Sequence, residues 1–361
     1  MRRVAALDWM RGIVMVLMAI DHASGAFNAG RLFTDASFMY EPGSALPAAQ
    51  FLTRWVTHLC APSFLFLAGA ALAMSVERRR KAGLSVDGHI AVRGLLLIAF
   101  EVGWMCWAWE LRWVGVFLQV LYAIGAGLLF MIPLRRLSAA WLAALGILLA
   151  AGCEAAIGLV SGDGPPNRAI ALLLTGGPIS DTVLVVYPVL PWLAVMVLGW
   201  AFGRHLAGGG RAEPLLWIGG VAALVLFAVI RGLDGYGNML LHRVDGSLVQ
   251  WLHVSKYPPS LSFTALELGI MALVLAALFR IERRVPAPPT WSVVLGQSAL
   301  FFYLLHIHIL ELAAHALGMV KSGGLVETYL AAAAVIALLF PLCWWYRSYK
   351  LRHPNSLARF I

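Results

Sequence analysis

Apolar runs of spanning length recur along the whole chain, near residues 7–24, 50–75, 92–110, 113–134, 137–160, 183–205, 214–231, 259–280, 291–316 and 325–346. A bilayer core takes about 20 apolar residues per helix, so the pattern predicts ten spans joined mostly by short loops. An even number of crossings puts both termini on one side. The longer connections, 25–49, 161–182 and 232–258, all fall on the other side and are rich in Gly, Pro, Asn and Asp. The expected fold is an all-α polytopic membrane bundle forming a single domain over residues 1–361.

Composition agrees. The chain is 61% hydrophobic and only 12% charged, with a mean hydropathy of +0.82, which excludes a soluble protein of this size. Lys and Arg total 27 against 18 Asp and Glu, a net charge of +9. In a soluble chain that excess would raise nucleic acid as a partner; here its placement decides, and none is expected. Eighteen of the basic residues lie in one alternating set of segments, among them Arg2, Arg3, Arg78, Arg79, Arg80, Lys81, Arg135, Arg136, Arg283, Arg284, Lys350 and Arg359. Eight lie in the other set, and the bias places both termini in the cytoplasm. Cys60, Cys106, Cys153 and Cys343 stand singly in apolar stretches. They have no metal-ligand spacing and read as small core residues, so no metal is expected.

The informative residues are the ionisable ones inside spans, each costing at least ~2.5–3.5 kcal/mol unless it has a partner or a wet cavity. The first span carries Asp8, Arg11, Asp21 and His22, the second His58, the third Glu101, the eighth Glu267, and the ninth His306, His308, Glu311 and His315. Arg11 and His22 are separated by three turns plus about 20°, so they share a face roughly 16 Å apart, with Asp8 one turn before Arg11. His58, entering from the opposite side, and His306 and His308, near the end of the ninth span, fall at the depth of His22. Three helices are thus expected to bring imidazoles to one level. A membrane histidine bonded to a neighbouring helix is a common structural feature, and His306, His308 and His315 suit that description. Glu101 and Glu267 suit packing carboxylates equally well. The adjacent Asp21 and His22 are different, because a carboxylate beside an imidazole in an apolar span tunes a general base.

The string from Ala6-Leu-Asp-Trp-Met-Arg-Gly to Ile20-Asp-His22 resembles the first helix of bacterial relatives of heparan-alpha-glucosaminide N-acetyltransferase. Thr57-His-Leu-Cys-Ala-Pro-Ser-Phe-Leu-Phe-Leu-Ala-Gly69, Tyr187-Pro-Val-Leu-Pro-Trp192, Lys256-Tyr-Pro-Pro-Ser-Leu261 and Phe301-Phe-Tyr-Leu-Leu-His306 extend the likeness over nearly the full length. The Leu-Asp and Arg-Gly pairs, with a histidine eleven residues after the arginine, are also similar to the acyltransferase-3 proteins, in which that histidine is catalytic. Two departures stand out: residues 25–50 hold no histidine, where the lysosomal enzyme is expected to use one, and His58 stands where that enzyme has an aspartate.

The resemblance implies an integral protein of a bacterial inner membrane that moves an acyl group, acetyl first of all, from cytoplasmic acyl-CoA to a hydroxyl or amine of a sugar-like acceptor outside. The expected catalytic residues are His22, with Asp21 or His58 to orient it. Arg11, Asp8, Glu101, Lys256, Tyr257, His306 and His308 are expected to hold substrate or coenzyme. Inner-face cations such as Arg11, Arg78, Arg79, Arg80, Arg93 or Arg135 suit the coenzyme phosphates. The bilayer is the remaining partner, and association into a homo-oligomer stays open. Two other classes fit the pattern: a ten-helix secondary transporter of a small solute, divided five plus five, and a catalytically silent lipid-binding subunit. Reporter fusions after Arg31, Pro166 and Asp245 are expected to report the outer side, and fusions after Lys81, Arg136 and Arg284 the cytoplasm. Reversal at any two of these positions would overturn the topology.

Overall fold

The computed structural model describes residues 4–160, 164–285, 290–353 and 356; Arg2, Arg3 and Arg359 of the charge pattern lie outside the described residues. Its elements are α1 (Ala5–Phe27), α2 (Ala48–Thr57), α3 (Cys60–Lys81), α4 (Asp87–Phe100, prolonged by a wider π turn over Glu101–Met105), β1 (Val116–Leu118), α5 (Val120–Leu134), α6 (Ala139–Leu159), α7 (Pro165–Leu174), β2 (Gly177–Ser180), β3 (Val183–Val185), α8 (Val189–Ala207), α9 (Ala212–Leu233), α10 (Leu248–Leu252), α11 (Leu261–Glu282), α12 (Thr290–Gln297), α13 (Ala299–Ala316) and α14 (Leu325–Arg352). Among the described residues nine spans are long and apolar enough to cross a bilayer, with α2 and α3 counted together and α4 counted with its π turn. The tenth expected span is the shorter α5. It lies along α4 where Gly94 and Gly125 meet backbone to backbone. It also returns to the end where α4 began, since Arg135 just past α5 donates to Asp87 at 2.8 Å.

Four expected helices differ in detail, for local reasons. The run 50–75 is two helices that break at His58 and Leu59. Pro62 has no N–H to give the His58 carbonyl and its ring crowds that oxygen, yet it is tolerated in the first turn of α3. The expected span 113–134 becomes helical only at Val120, and 183–205 only at Val189. The residues before them form a small sheet in strand order β1-β3-β2, with β1 parallel to β3, so the fold is nearly rather than wholly α-helical. Finally, 291–316 is interrupted at Ser298, whose hydroxyl donates back to the Val294 carbonyl at 2.6 Å and competes with the helical ladder.

α1 is the axis of the bundle, packed against α3, α11, α12, α13 and α14. Its first amides are satisfied from outside the helix, because the Glu282 carboxylate accepts from the Ala5 and Ala6 N–H at 2.8 and 3.0 Å. Its far end is stitched to the α13–α14 turn by Lys321 N–H to the Ala26 carbonyl and Gly323 N–H to the Phe27 carbonyl, each 2.8 Å. Glycines permit the closest approaches. Gly12 faces the Ser292 backbone and Gly296 the Asp8 backbone, while Gly69 of α3 and Gly199 and Gly203 of α8 put those two backbones in direct contact. In lipid there is little hydrophobic drive between helices, so such close packing is what joins them.

The loops at the far end of α1 close over it. Buried Arg231 donates to Asn238 Oδ1 at 2.9 Å, to the Leu241 carbonyl at 3.0 Å and to the Gln250 and Trp251 carbonyls. That folds the loop 234–260 onto the 28–47 loop, where Gln250 meets Tyr40 and His253 meets the Thr34 carbonyl. Gly199→Ala would drive a methyl group into the Phe66 backbone, and overpacking of this kind costs ~1–3 kcal/mol. A lower melting temperature in detergent is expected. Gly152→Ala, with nothing within 4 Å of the added carbon, is expected to leave it unchanged or slightly higher.

Candidate active site

Each end of α1 carries one half of the site. Near its start, Arg11 and Asp8 form an ion pair of 2.8 Å. Asp8 also accepts from the Gln297 amide at 3.0 Å, and the Gln297 oxygen accepts from Arg347 at 2.6 Å. This chain links α1 to α12 and α14 around the mouth of a cavity of about 450 Å³. Arg11, Arg78, Arg93 and Lys350 line the cavity, as do Met15 and Tyr303. Of the cations expected to face the coenzyme, Arg11, Arg78 and Arg93 line this cavity. Arg135 is engaged with Asp87 instead, Arg79 donates to the Ser85 carbonyl and Arg80 reaches Glu77.

The deep end of the cavity adjoins the second half. The Tyr303 ring lies 6.3 Å from the His22 ring and 5.5 Å from that of His306. His22 Nδ1 is 2.5 Å from His306 Nε2, with the ring centroids 4.8 Å apart and the planes inclined by 26°, and Trp109 stands edge-on to His22 at 5.1 Å. His306 is fully buried. The side chain of His22 keeps 13% exposure.

Beyond His22 lies a buried ion network. Asp21 Oδ2 is 4.0 Å from His22 Nε2, while Asp21 Oδ1 accepts from Arg54 at 2.6 Å, Thr57 at 3.0 Å and Arg31 at 3.1 Å. Arg54 also donates twice to Asp35 Oδ2, at 2.8 and 2.5 Å, and Asp35 Oδ1 lies 3.2 Å from His58 Nε2. The backbone N–H groups of Lys256 and Tyr257 both donate to the Asp35 carbonyl. Lys256 Nζ is 5.3 Å from the Tyr257 ring, which meets the Tyr187 ring at 5.8 Å. The break after α2 allows this arrangement, since it lets Arg54, Thr57 and His58 face the end of α1 while α3 runs on alongside α8.

The network governs the charge on Asp35. Burial alone would raise its carboxyl, but Arg54, His58 and Lys256 outweigh burial and hold it well below the usual carboxylate range.

The structure therefore gathers most of the residues expected from the sequence, in two groups. Asp8 and Arg11 belong to the cavity mouth, and Asp21, His22, His58, His306, Lys256 and Tyr257 to the far end. Within the far group His22 hydrogen-bonds to His306, Asp21 Oδ2 stands 4.0 Å from the His22 ring, and His58 faces Asp35. Two expected ligands stand elsewhere. Glu101 accepts from the Leu121 and Tyr122 N–H groups at 2.8 and 3.1 Å, capping α5. His308 is held between the Trp104 and Trp107 rings at 4.7 and 4.4 Å. Neither lines the cavity. Arg31, Asp35 and Arg54 escaped the sequence reading because they lie in a loop and at the end of a span, where charge is ordinary. The Tyr303 of Phe301-Phe-Tyr-Leu-Leu-His306 was the available signal for the cavity's deep end. Among the described residues no group of three or more His, Cys, Asp or Glu side chains is placed to hold a metal ion.

Asp35→Asn is expected to lower the melting temperature near neutral pH, since removing one partner of a buried pair costs ~3–5 kcal/mol. A depressed folded-state carboxyl stabilises fully above about pH 4 and loses that contribution progressively as pH falls toward its folded-state value. The gap between native and variant melting curves should therefore narrow on acidification; a constant gap would remove Asp35 from the network's energetics.

Comparison with known proteins adds a family. The sequence model described as heparan-alpha-glucosaminide N-acetyltransferase, catalytic, matches residues 3–232, well over half the chain. No curated protein matches it significantly.

Proposed function

The chain belongs to the family of the heparan-alpha-glucosaminide N-acetyltransferase catalytic domain, and from that premise we propose that it transfers an acetyl or related acyl group from coenzyme A, entering from the cytoplasmic side, to a hydroxyl or amine of a sugar-like acceptor that arrives from the opposite side. The observation that carries this reading is the cavity. Its mouth offers Arg11, Arg78, Arg93 and Lys350 to a polyanionic ligand, and its deep end closes at Tyr303 beside His22. Phosphates bind best to such charge-assisted donors. The distance along α1 from Arg11 to His22, roughly 16 Å, is one that an extended pantetheine arm spans.

In this reading His22 is the catalytic residue. It accepts the proton of the acceptor hydroxyl or amine while that oxygen or nitrogen bonds to the thioester carbonyl carbon. The carbon–sulfur bond then breaks, and coenzyme A leaves as the thiolate, taking a proton on release. The alternative order, in which the imidazole first carries the acyl group itself, uses the same contacts. Asp21, 4.0 Å from the ring, stabilises the imidazolium as it forms. His58 acts one step further out, through Asp35 and Arg54. Trp109, edge-on to His22, forms one wall of the space an acceptor would enter.

His22→Ala is expected to abolish transfer, a loss of ~10²- to 10⁴-fold, while a thermal shift with acyl-CoA still reports binding. His58→Ala should keep measurable activity. Arg78→Ala should raise the KM for acyl-CoA, and Arg243→Ala, in a loop far from the cavity, should not. A purified protein that neither shifts with acyl-CoA nor turns it over with any acceptor would refute the assignment.

A further inference from the structure

His306 is the hydrogen-bond partner of His22, and the polarity of the bonds around it has a consequence. We propose that His306 is a positioning residue that fixes the tautomer of His22, holding the proton on Nδ1 so that Nε2 is the reacting nitrogen. The inference rests on His22 being the catalytic group and names the residue that orients it.

The polarity follows from the carbonyls. His306 Nδ1 lies 2.8 Å from the Tyr303 carbonyl and 3.1 Å from the Phe302 carbonyl. A carbonyl oxygen only accepts, so Nδ1 of His306 carries hydrogen and donates. A neutral imidazole protonated at Nδ1 has a lone pair at Nε2, and that atom faces His22 Nδ1 at 2.5 Å. His22 must then donate through Nδ1, which leaves the lone pair of His22 on Nε2.

A doubly protonated His306 is the one way to reverse this order. It would place a positive charge on a side chain with no exposed surface and with no carboxylate among its described partners, an arrangement that burial makes costly. Among the described residues no hydrogen bond holds the His22 proton on Nε2. Asp21 Oδ2 is 4.0 Å from Nε2, beyond hydrogen-bond reach. The oxygen of Asp21 that forms bonds is already shared by Arg54, Arg31 and Thr57. Asp21 is thus close enough to favour a positive ring after proton transfer, yet too far to hold a proton on Nε2 before it.

The two controlling carbonyls lie three and four residues before His306 on its own helix. The tautomer of His22 is therefore set by the backbone of α13, relayed through one buried ring, and needs no mobile partner. Oriented second partners of this type are worth ~10- to 100-fold.

The test pairs two variants with a direct readout of the proton. His306→Gln places an amide oxygen near the position of Nε2 and keeps an acceptor for His22. His306→Leu fills similar volume without one. With purified protein and acetyl-CoA, His306→Leu is expected to lose ~10- to 100-fold in kcat with little change in KM, and His306→Gln to recover most of it. Equal rates for the two variants would reduce His306 to a space-filling side chain. Nitrogen-15 NMR of histidine-labelled protein, with the His22 signals identified by their loss in His22→Asn, reads the tautomer without any activity. Native protein and His306→Gln should show the Nδ1–H form and His306→Leu a mixture. An Nε2–H form in the native protein overturns the inference even if acyl transfer is confirmed, and the Nδ1–H form upholds the polarity even if acyl transfer fails.

Discussion

Arg54 holds two carboxylates at once, and the far half of the molecule is arranged around it. One aspartate, Asp21, belongs to the central helix, and the other, Asp35, to the loop that follows. A guanidinium so deeply buried is tolerable only when its donors meet acceptors in good geometry. Satisfying it pins three segments together: the end of α1, the loop after it, and α2 short of its break. The backbone amides of Lys256 and Tyr257 bring in a fourth by donating to the Asp35 carbonyl. The position of His22, one residue after Asp21, is thus a consequence of how Arg54 is neutralised.

The same central helix carries the cavity mouth at its other end. Asp8 and Arg11 share a face with His22 because of helical geometry alone. What turns that face into a path is the packing of α12 against α1, where Gly12 and Gly296 let the backbones touch. The interruption at Ser298 lets α13 diverge from α12. Tyr303 then reaches the deep end of the cavity with His306 beside it, while Gln297 stays behind to bridge Asp8 and Arg347. The break is therefore the feature that allows one stretch of chain to serve both ends of the cavity.

Polar groups in this bundle fall into two kinds. Arg231, Glu101 and Glu282 satisfy backbone groups that would otherwise be orphaned, at a loop, at the start of α5 and at the start of α1. In a bilayer such satisfaction is obligatory, since no water is available to replace it. Asp21, His22 and His306 instead meet one another's side chains, beside the Tyr303 that lines the cavity. The first kind meets backbone groups and the second meets other side chains; burial alone does not tell them apart, and the partner of each group does.

The polytopic helical bundle, the alternation of basic segments and the shared face of Asp8, Arg11 and His22 were legible in the sequence, because each depends on periodicity or composition within one segment. The contact of His22 with His306 was legible only as a common depth. Distance along a helix gives height in the membrane but not rotation about the axis, so His306 and His308 looked alike. The tertiary structure separates them, turning His306 onto His22 and His308 between two tryptophans. It likewise assigns Glu101 to a helix cap and His58 to Asp35, since the carboxylate or amide that each one faces comes from a segment far away in sequence. The sequence by itself determined the membrane bundle and the level of its polar layer. Which members of that layer touch was decided by the helix breaks at His58 and Ser298 and by the glycine contacts that set how closely, and in what rotation, the helices pack.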